Sequence, residues 1–317
     1  MSSVSSVLAA PDPVRHRSRR RRGSLAFLVV LALAGSGVWL WWRGYTGHIV
    51  VRPHCSAEVG GATTELDPEQ SGYAALIATI AVERGLPARA ASIGIATAMQ
   101  ESKLRNLDYG DRDSLGLFQQ RPSQGWGTVR QITDPVYATN AFYDVLMKIE
   151  GFQDLTITDA AQRVQRSAFP TAYAEHEPEA RALASALTGY SEGSFACVLH
   201  PPGQLAREDP GAAGLTTRAR RVATAARRET GQTRSEPASP DGTAVRFRIG
   251  GSDAERRGWS LAHWAVARAD GLDVVAVATD GLRWRREAPG ARWSRIAAGS
   301  GPRPPAGTVV VEVAAGG

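Results

Sequence analysis

Cysteine is nearly absent from the sequence: two occur in 317 residues, Cys55 and Cys197. They lack the close ligand spacing of zinc sites, so no metal centre is expected from them. The pair reads as one disulfide closing a long loop in an oxidising compartment, worth roughly 4 to 5 kcal/mol on the loop-entropy account; two buried free thiols are the alternative. Long apolar runs are equally scarce. One stands out, Leu25 to Trp42, which at about 1.5 Å per residue spans most of a bilayer core of roughly 30 Å. A single run excludes a transporter that lines its own pathway. Aromatic residues are missing from both arginine-rich stretches, Arg15 to Arg22 and Arg218 to Arg228, which argues against nucleic acid as a partner.

What is present suggests several segments. With 43% hydrophobic residues the chain has apolar side chains enough for two domains. Residues 1–24 are polar and arginine-rich, a disordered tail that the arginines place on the cytoplasmic side. Residues 25–42 follow as a transmembrane helix, with Trp39, Trp41 and Trp42 at the outer interface. Ala32-Leu33-Ala34 offers a cleavage site. The apolar run continues past it, so a retained single-pass anchor in the plasma membrane is expected, with everything after Arg43 outside the cell. Residues 43–68 read as a spacer, 69–200 as an all-helical domain, 201–214 as a Pro/Gly-rich linker, and 215–317 as a small α+β domain.

Within 69–200, Leu76, Ile77 and Ile80 stand at helical spacing, Gly85-Leu86-Pro87 makes a break, and a small-residue helix over about 88–102 carries Ser92, Gly94, Ala96 and Ala98 toward Glu101. Burial of a carboxyl at the end of such a helix raises its pKa, as a general acid near neutrality needs. The bland reading is a surface Glu near a helix C-terminus. The polar loop 105–126 that follows supplies Asp108, Asp111 and Asp113 as candidate second carboxylates, or a self-paired solvated loop with Arg112. Tyr109, Phe118 and Trp126 are candidates for an aromatic wall against sugar rings, with core packing as the alternative. Gln119 and Gln120 offer donors and acceptors to an acetamido or hydroxyl group.

Gln100-Glu101-Ser102 followed by Gly116-Leu117-Phe118-Gln119 resembles the paired signature of lytic transglycosylases of the goose-type-lysozyme-like kind, over roughly 69–189. Phe118 stands where that family usually has Met. The resemblance implies a lysozyme-like domain in which Glu101 is the single acid/base and Ser102 and Gln119 position it and the substrate. It implies no cofactor. The stretch 160–173 stands where the family has an Ala-Tyr-Asn element. That pattern is not matched, which leaves Gln165, Ser167 and Tyr173 as candidates.

Beyond the linker, alternation predicts strands over 245–249, 274–278 and 309–313, and apolar spacing predicts helices over 215–230 and 258–269. This order, with Trp284 and Trp293, resembles a degenerate zinc D-alanyl-D-alanine carboxypeptidase-like domain of actinobacterial wall proteins. Ser239, Arg246 and Glu312 stand at or near the family's ligand places, and an Arg there repels zinc. His263 reads as a packed core residue. The expectation is therefore a multi-domain, outward-facing wall protein: a transmembrane helix, an all-α lysozyme-like domain and a small α+β domain. It would cleave peptidoglycan glycan strands through Glu101, with Ser102, Tyr109, Gln119, Gln120 and Trp126 against substrate. A non-catalytic wall-binding or assembly factor is the competing class.

Overall fold

Alternating burial opens the described chain. In β1 (His54–Val59) Cys55 and Ala57 face inward. Gly60-Gly61, both at positive φ, turn the backbone into β2 (Ala62–Leu66), which pairs antiparallel with Val59 opposite Ala62. Two successive left-handed residues suit a two-residue hairpin, and glycine takes them without steric cost. The structure, a computed structural model, describes Trp39 and residues 52–166, 171–287, 290, 292–301 and 303–317.

Six helices follow: α1 (Pro68–Glu83), α2 (Ala88–Ser102), α3 (Val129–Ile132), α4 (Pro135–Leu146), α5 (Ile157–Gln165) and α6 (Glu177–Leu187). A reciprocal cap starts α1, the Asp67 carboxylate accepting from the Gln70 N–H at 2.9 Å while Gln70 Oε1 accepts from the Asp67 N–H at 3.0 Å. From Ala74 to Ala81 every α1 residue is buried, so α1 is a core helix enclosed all round. Helix α2 comes close to it through Gly94, where a Cβ would stand 2.9 Å from Ile77 Cγ2 and 3.1 Å from the Tyr143 hydroxyl. That hydroxyl, on α4, donates to Ile77 O at 2.9 Å. Strand β3 (Phe195–Val198) then pairs with the far side of β1, giving the order β2-β1-β3, and the opposed Cys55 and Cys197 form a disulfide.

These strands correct the expected fold class. Among the described residues the chain is mixed α/β with two antiparallel sheets, not an all-α lysozyme-like domain joined to a separate α+β one. The first sheet escapes sequence reading because its strands are four to six residues long and β1 meets β3 across a separation of 142 residues. Local periodicity carries no trace of so distant a pairing. The transmembrane anchor is corrected as well: among the described residues no helix is long and apolar enough to cross a membrane. The stretch 25–42, on which the anchor and its plasma-membrane location rested, lies, Trp39 apart, outside those residues.

Residues 201–214 hold no helix or strand. Helix α7 (Thr217–Thr230), β4 (Glu236–Pro237), β5 (Ala244–Arg248), α8 (Ala254–Ala267), β6 (Val274–Thr279), β7 (Leu282–Arg285), β8 (Ser294–Arg295) and β9 (Thr308–Val313) complete the chain. The strands make one antiparallel sheet in the order β4-β5-β9-β6-β7-β8. Helix α8 joins this sheet to the helical half, and it does so through hydrogen bonds. A helix ends with unpaired carbonyls, and three at the end of α6 are taken by α8 side chains. His263 Nδ1 meets Ala186 O at 2.8 Å, Ser260 Oγ meets Leu187 O at 2.7 Å and Arg256 Nη1 meets Thr188 O at 3.0 Å. From Arg52 to Gly317 the chain is one compact unit.

His263 makes this junction acid-sensitive. It is fully buried among Trp259, Trp293 and Phe195, and burial pulls its pKa from 6.5 down to about 4, against the smaller opposite pull of the Ala186 carbonyl. Below pH 6.5 the unfolded chain takes up the proton first, so stability is lost as pH falls from 6.5 to about 4, by roughly 3 kcal/mol in all. His263→Asn keeps a donor for Ala186 and removes the titration. Urea unfolding at a series of pH values is expected to show the wild type losing stability relative to His263→Asn across that window. Parallel profiles would remove His263 from the account.

Candidate active site

Glu101 occupies the next-to-last position of α2, and the chain turns sharply after it. Lys103 and Leu104 both have φ of 55°, a conformation that costs a non-glycine residue energy and recurs at functional sites. The turn closes the helix, Lys103 N donating to Met99 O and Leu104 N to Ala98 O, each at 3.0 Å. Arg105 then reaches both Asp67 and Glu69 at the start of α1, and Gln70 Nε2 donates to Lys103 O at 3.0 Å. The backbone behind Glu101 is thereby held to the core helix.

The Glu101 side chain is half-buried. The Tyr173 hydroxyl, in the 3-10 turn Ala172–His176, donates to Glu101 Oε1 at 2.7 Å. Burial pushes the carboxyl pKa up, and hydrogen bonding from Tyr173 and then Gln165 pulls it partly back, with burial the larger effect. The carboxyl thus holds its proton to a higher pH than a free glutamate does. Gln165 also donates from Nε2 to Phe118 O at 2.7 Å, which links the acid to the Gly116–Gln119 turn.

That turn is closed on both sides. Leu115 and Gln120 exchange backbone hydrogen bonds of 3.0 Å, and Gly116 N donates to Leu107 O at 2.7 Å. Gly116 has a φ of 77°, and a Cβ there would stand 2.5 Å from Ile132 O; glycine is required on both counts. Ser102 bolts the turn to α2, its buried Oγ donating to Ala98 O at 3.0 Å or Leu117 O at 2.7 Å. Ser102 therefore positions the scaffold of the site.

The other expected residues divide. Tyr109 is 68% exposed, and its carbonyl accepts from Gln119 Nε2 at 3.2 Å. Gln119 and the tip of the polar loop therefore lie together beside the turn. Trp126 is half-buried against the core, and Phe118 is fully buried, stacked on Phe142 at 4.7 Å between centroids. Gln120 is 1% exposed, with its amide donating to Ala138 O at 3.2 Å and its Oε1 buried without a hydrogen-bond partner among the described residues. Of the three aspartates, Asp108 and Asp111 are exposed. Asp113 is bound by Ser123 N at 2.9 Å and Arg121 Nε at 2.6 Å, and these bonds hold its carboxyl far below the usual range. Ser167 lies outside the described residues.

In the second sheet Ser239 Oγ donates to Asp241 Oδ1 at 2.5 Å, Arg246 pairs with Glu236 at 3.0 Å, and Glu312 is exposed on β9 opposite Ala244. The cation at position 246 is thus committed to a carboxylate of the neighbouring strand. Searches against protein-family models and among curated proteins return no match for this chain.

Proposed function

We propose that this chain is a peptidoglycan lytic transglycosylase that cleaves the β-1,4 link between N-acetylmuramic acid and N-acetylglucosamine, with Glu101 as its single acid/base. The observation that carries the reading is the Glu101 carboxyl, half-buried with a raised pKa, held by Tyr173 at 2.7 Å and tied through Gln165 to the Gly116–Gln119 turn. A protonated Glu101 gives its proton to the glycosidic oxygen as the bond to the muramoyl anomeric carbon breaks. The resulting carboxylate then takes the proton of the muramoyl 6-hydroxyl, whose oxygen attacks that carbon and closes a 1,6-anhydro ring. One carboxyl serves both steps, so the reaction makes no demand on Asp108, Asp111 or Asp113. Tyr173 supports the second half of the cycle, since its hydrogen bond favours the carboxylate form. The Cys55–Cys197 disulfide suits an oxidising compartment, where peptidoglycan lies.

The test is the product. Full-length protein incubated with purified peptidoglycan is expected to release muropeptides with 1,6-anhydro ends, read by mass spectrometry from the loss of one water. Reducing ends would instead make the reaction a hydrolysis and return Asp108 and Asp111 to consideration. Binding without release would make the chain a wall-binding factor.

A further inference from the structure

A groove of about 540 Å³ runs along α7 and is lined by four arginines, Arg220, Arg221 and Arg228 of α7 and Arg268 just past α8. Positions 217, 220, 221, 224 and 228 recur at three- and four-residue spacing, which puts them on one helix face, and all five are exposed. Arg268 and Leu272 lie across from them. The charge is local: of 37 Lys and Arg and 31 Asp and Glu, residues 1–51 hold seven and one, which leaves Arg52–Gly317 with thirty of each sign. The four guanidiniums of this groove therefore belong to a unit whose charge is otherwise balanced.

Three carboxylates face the four arginines, and two of the three are also committed elsewhere. Asp273 meets Arg221 at 3.3 Å, Asp134 meets Arg228 at 2.6 Å and Glu229 meets Arg268 at 3.1 Å. Asp134 also caps α4 through Val136 N, and buried Glu229 also accepts from Trp264. Arg220 bonds the neutral Thr217 hydroxyl at 2.9 Å. Exposed pairs such as those of Arg221 and Arg228 contribute about 0 to 1 kcal/mol, and a guanidinium exchanges such a partner readily for a phosphate that it binds with two parallel hydrogen bonds. The rest of the lining is threonine, alanine and leucine, with Glu229. Without an aromatic ring in that lining the groove has no platform for nucleic-acid bases, while the Thr217 and Thr224 hydroxyls can donate to or accept from a polyol.

We propose that this groove binds a polyol-phosphate polymer, a base-free chain of phosphodiesters, along the arginine face of α7. The site is separate from Glu101 and stands whether or not that residue cleaves glycans. The test measures binding of full-length protein to a fluorescent glycerol-phosphate oligomer across a range of salt concentrations. Affinity is expected to fall with salt, and Arg220→Gln/Arg228→Gln to bind roughly tenfold to a hundredfold more weakly, with a salt slope shallower by about 1.4 for two lost phosphate contacts. Both side chains are exposed, so the melting temperature should not move. Arg220→Lys/Arg228→Lys is expected to keep the salt slope, which separates charge from any disturbance of α7, and Arg292→Gln, an exposed arginine elsewhere, to bind as the wild type does. Equal binding by the glutamine pair, tighter binding of single-stranded DNA of equal charge, or no binding at low salt would each overturn the proposal.

Discussion

Glu101→Gln is expected to slow glycan cleavage by about a thousandfold, the middle of the range for loss of a positioned general acid/base and equivalent to roughly 4 kcal/mol of barrier. Gln is nearly the same shape and keeps an oxygen for the Tyr173 hydroxyl, now 2.7 Å from Glu101 Oε1, so glycan binding should survive. Stability should be maintained or improved at neutral pH. Burial raises the Glu101 pKa in the folded chain, so the folded state binds the proton more tightly than the unfolded state does. The stabilisation this gives is present at low pH and is lost as pH rises through the folded pKa. Replacing a buried carboxylate with an amide removes that cost. A Glu101→Gln protein that folds, binds peptidoglycan and still cleaves within tenfold of the wild-type rate would sink the assignment of the acid.

Tyr173→Phe separates positioning from simple damage. The Tyr173 hydrogen bond lowers the Glu101 pKa against burial, so its loss lets the pKa climb further. The acid step needs the protonated form, and its alkaline limb is expected to move to higher pH in Tyr173→Phe even as the maximal rate drops. A structural role alone would lower the rate at every pH and leave the limb in place. A pH profile of kcat/KM on soluble glycan strands reads the difference.

Some of this architecture was legible because it is local. The helix over 88–102 follows from Gly85-Leu86-Pro87 and a run of small residues, and the second sheet's central strands β5, β6 and β9 follow from alternating valines and phenylalanine. Long-range pairing was legible at one point only: the disulfide read from Cys55 and Cys197 brings His54–Val59 to Phe195–Val198. Nothing local tells that both segments are strands of one sheet, and nothing in α8 tells that Arg256, Ser260 and His263 will cap α6. The site divides in the same way. Glu101 and the Gly116–Gln119 turn stand in short motifs, whereas Tyr173 reaches Glu101 across 72 residues. Its one signal was Ala172-Tyr173, the first two letters of the element that the sequence otherwise fails to match. Ser102 follows from its place in the Glu-Ser motif and Gln120 from its polarity; the Ser102 hydroxyl and the Gln120 amide both bond inside the fold.

Glu229→Ala is expected to cost roughly 1 to 3 kcal/mol, because it leaves the buried Trp264 N–H and the partly exposed Arg268 guanidinium without their acceptor. The Glu229 side chain is 8% exposed. Its carboxylate accepts from Trp264 Nε1 at 2.8 Å and Arg268 Nη2 at 3.1 Å on the α8 side, while its backbone oxygen accepts from Thr79 Oγ1 of α1 at 2.9 Å. Alanine leaves a guanidinium and a buried indole N–H without their acceptor, and Arg268 Nε already has no partner. Glu229→Gln keeps an oxygen for one of the two donors and should cost less, which distinguishes a lost charge from a lost shape. The location gives the result a further meaning. Glu229 sits where α7, α8 and the core helix α1 meet, and α1 is also the helix to which the backbone behind Glu101 is tied through Arg105 and Gln70. If the helical half and the second sheet unfold together, Glu229→Ala lowers the urea midpoint equally for tryptophan fluorescence, to which Trp259 and Trp264 of α8 and Trp284 and Trp293 beyond it contribute, and for far-ultraviolet circular dichroism, which reports all the helices. Separate transitions, with the dichroism of the helical half unmoved, would mean that the two halves fold independently and that the α8 caps on α6 add nothing to their cooperation.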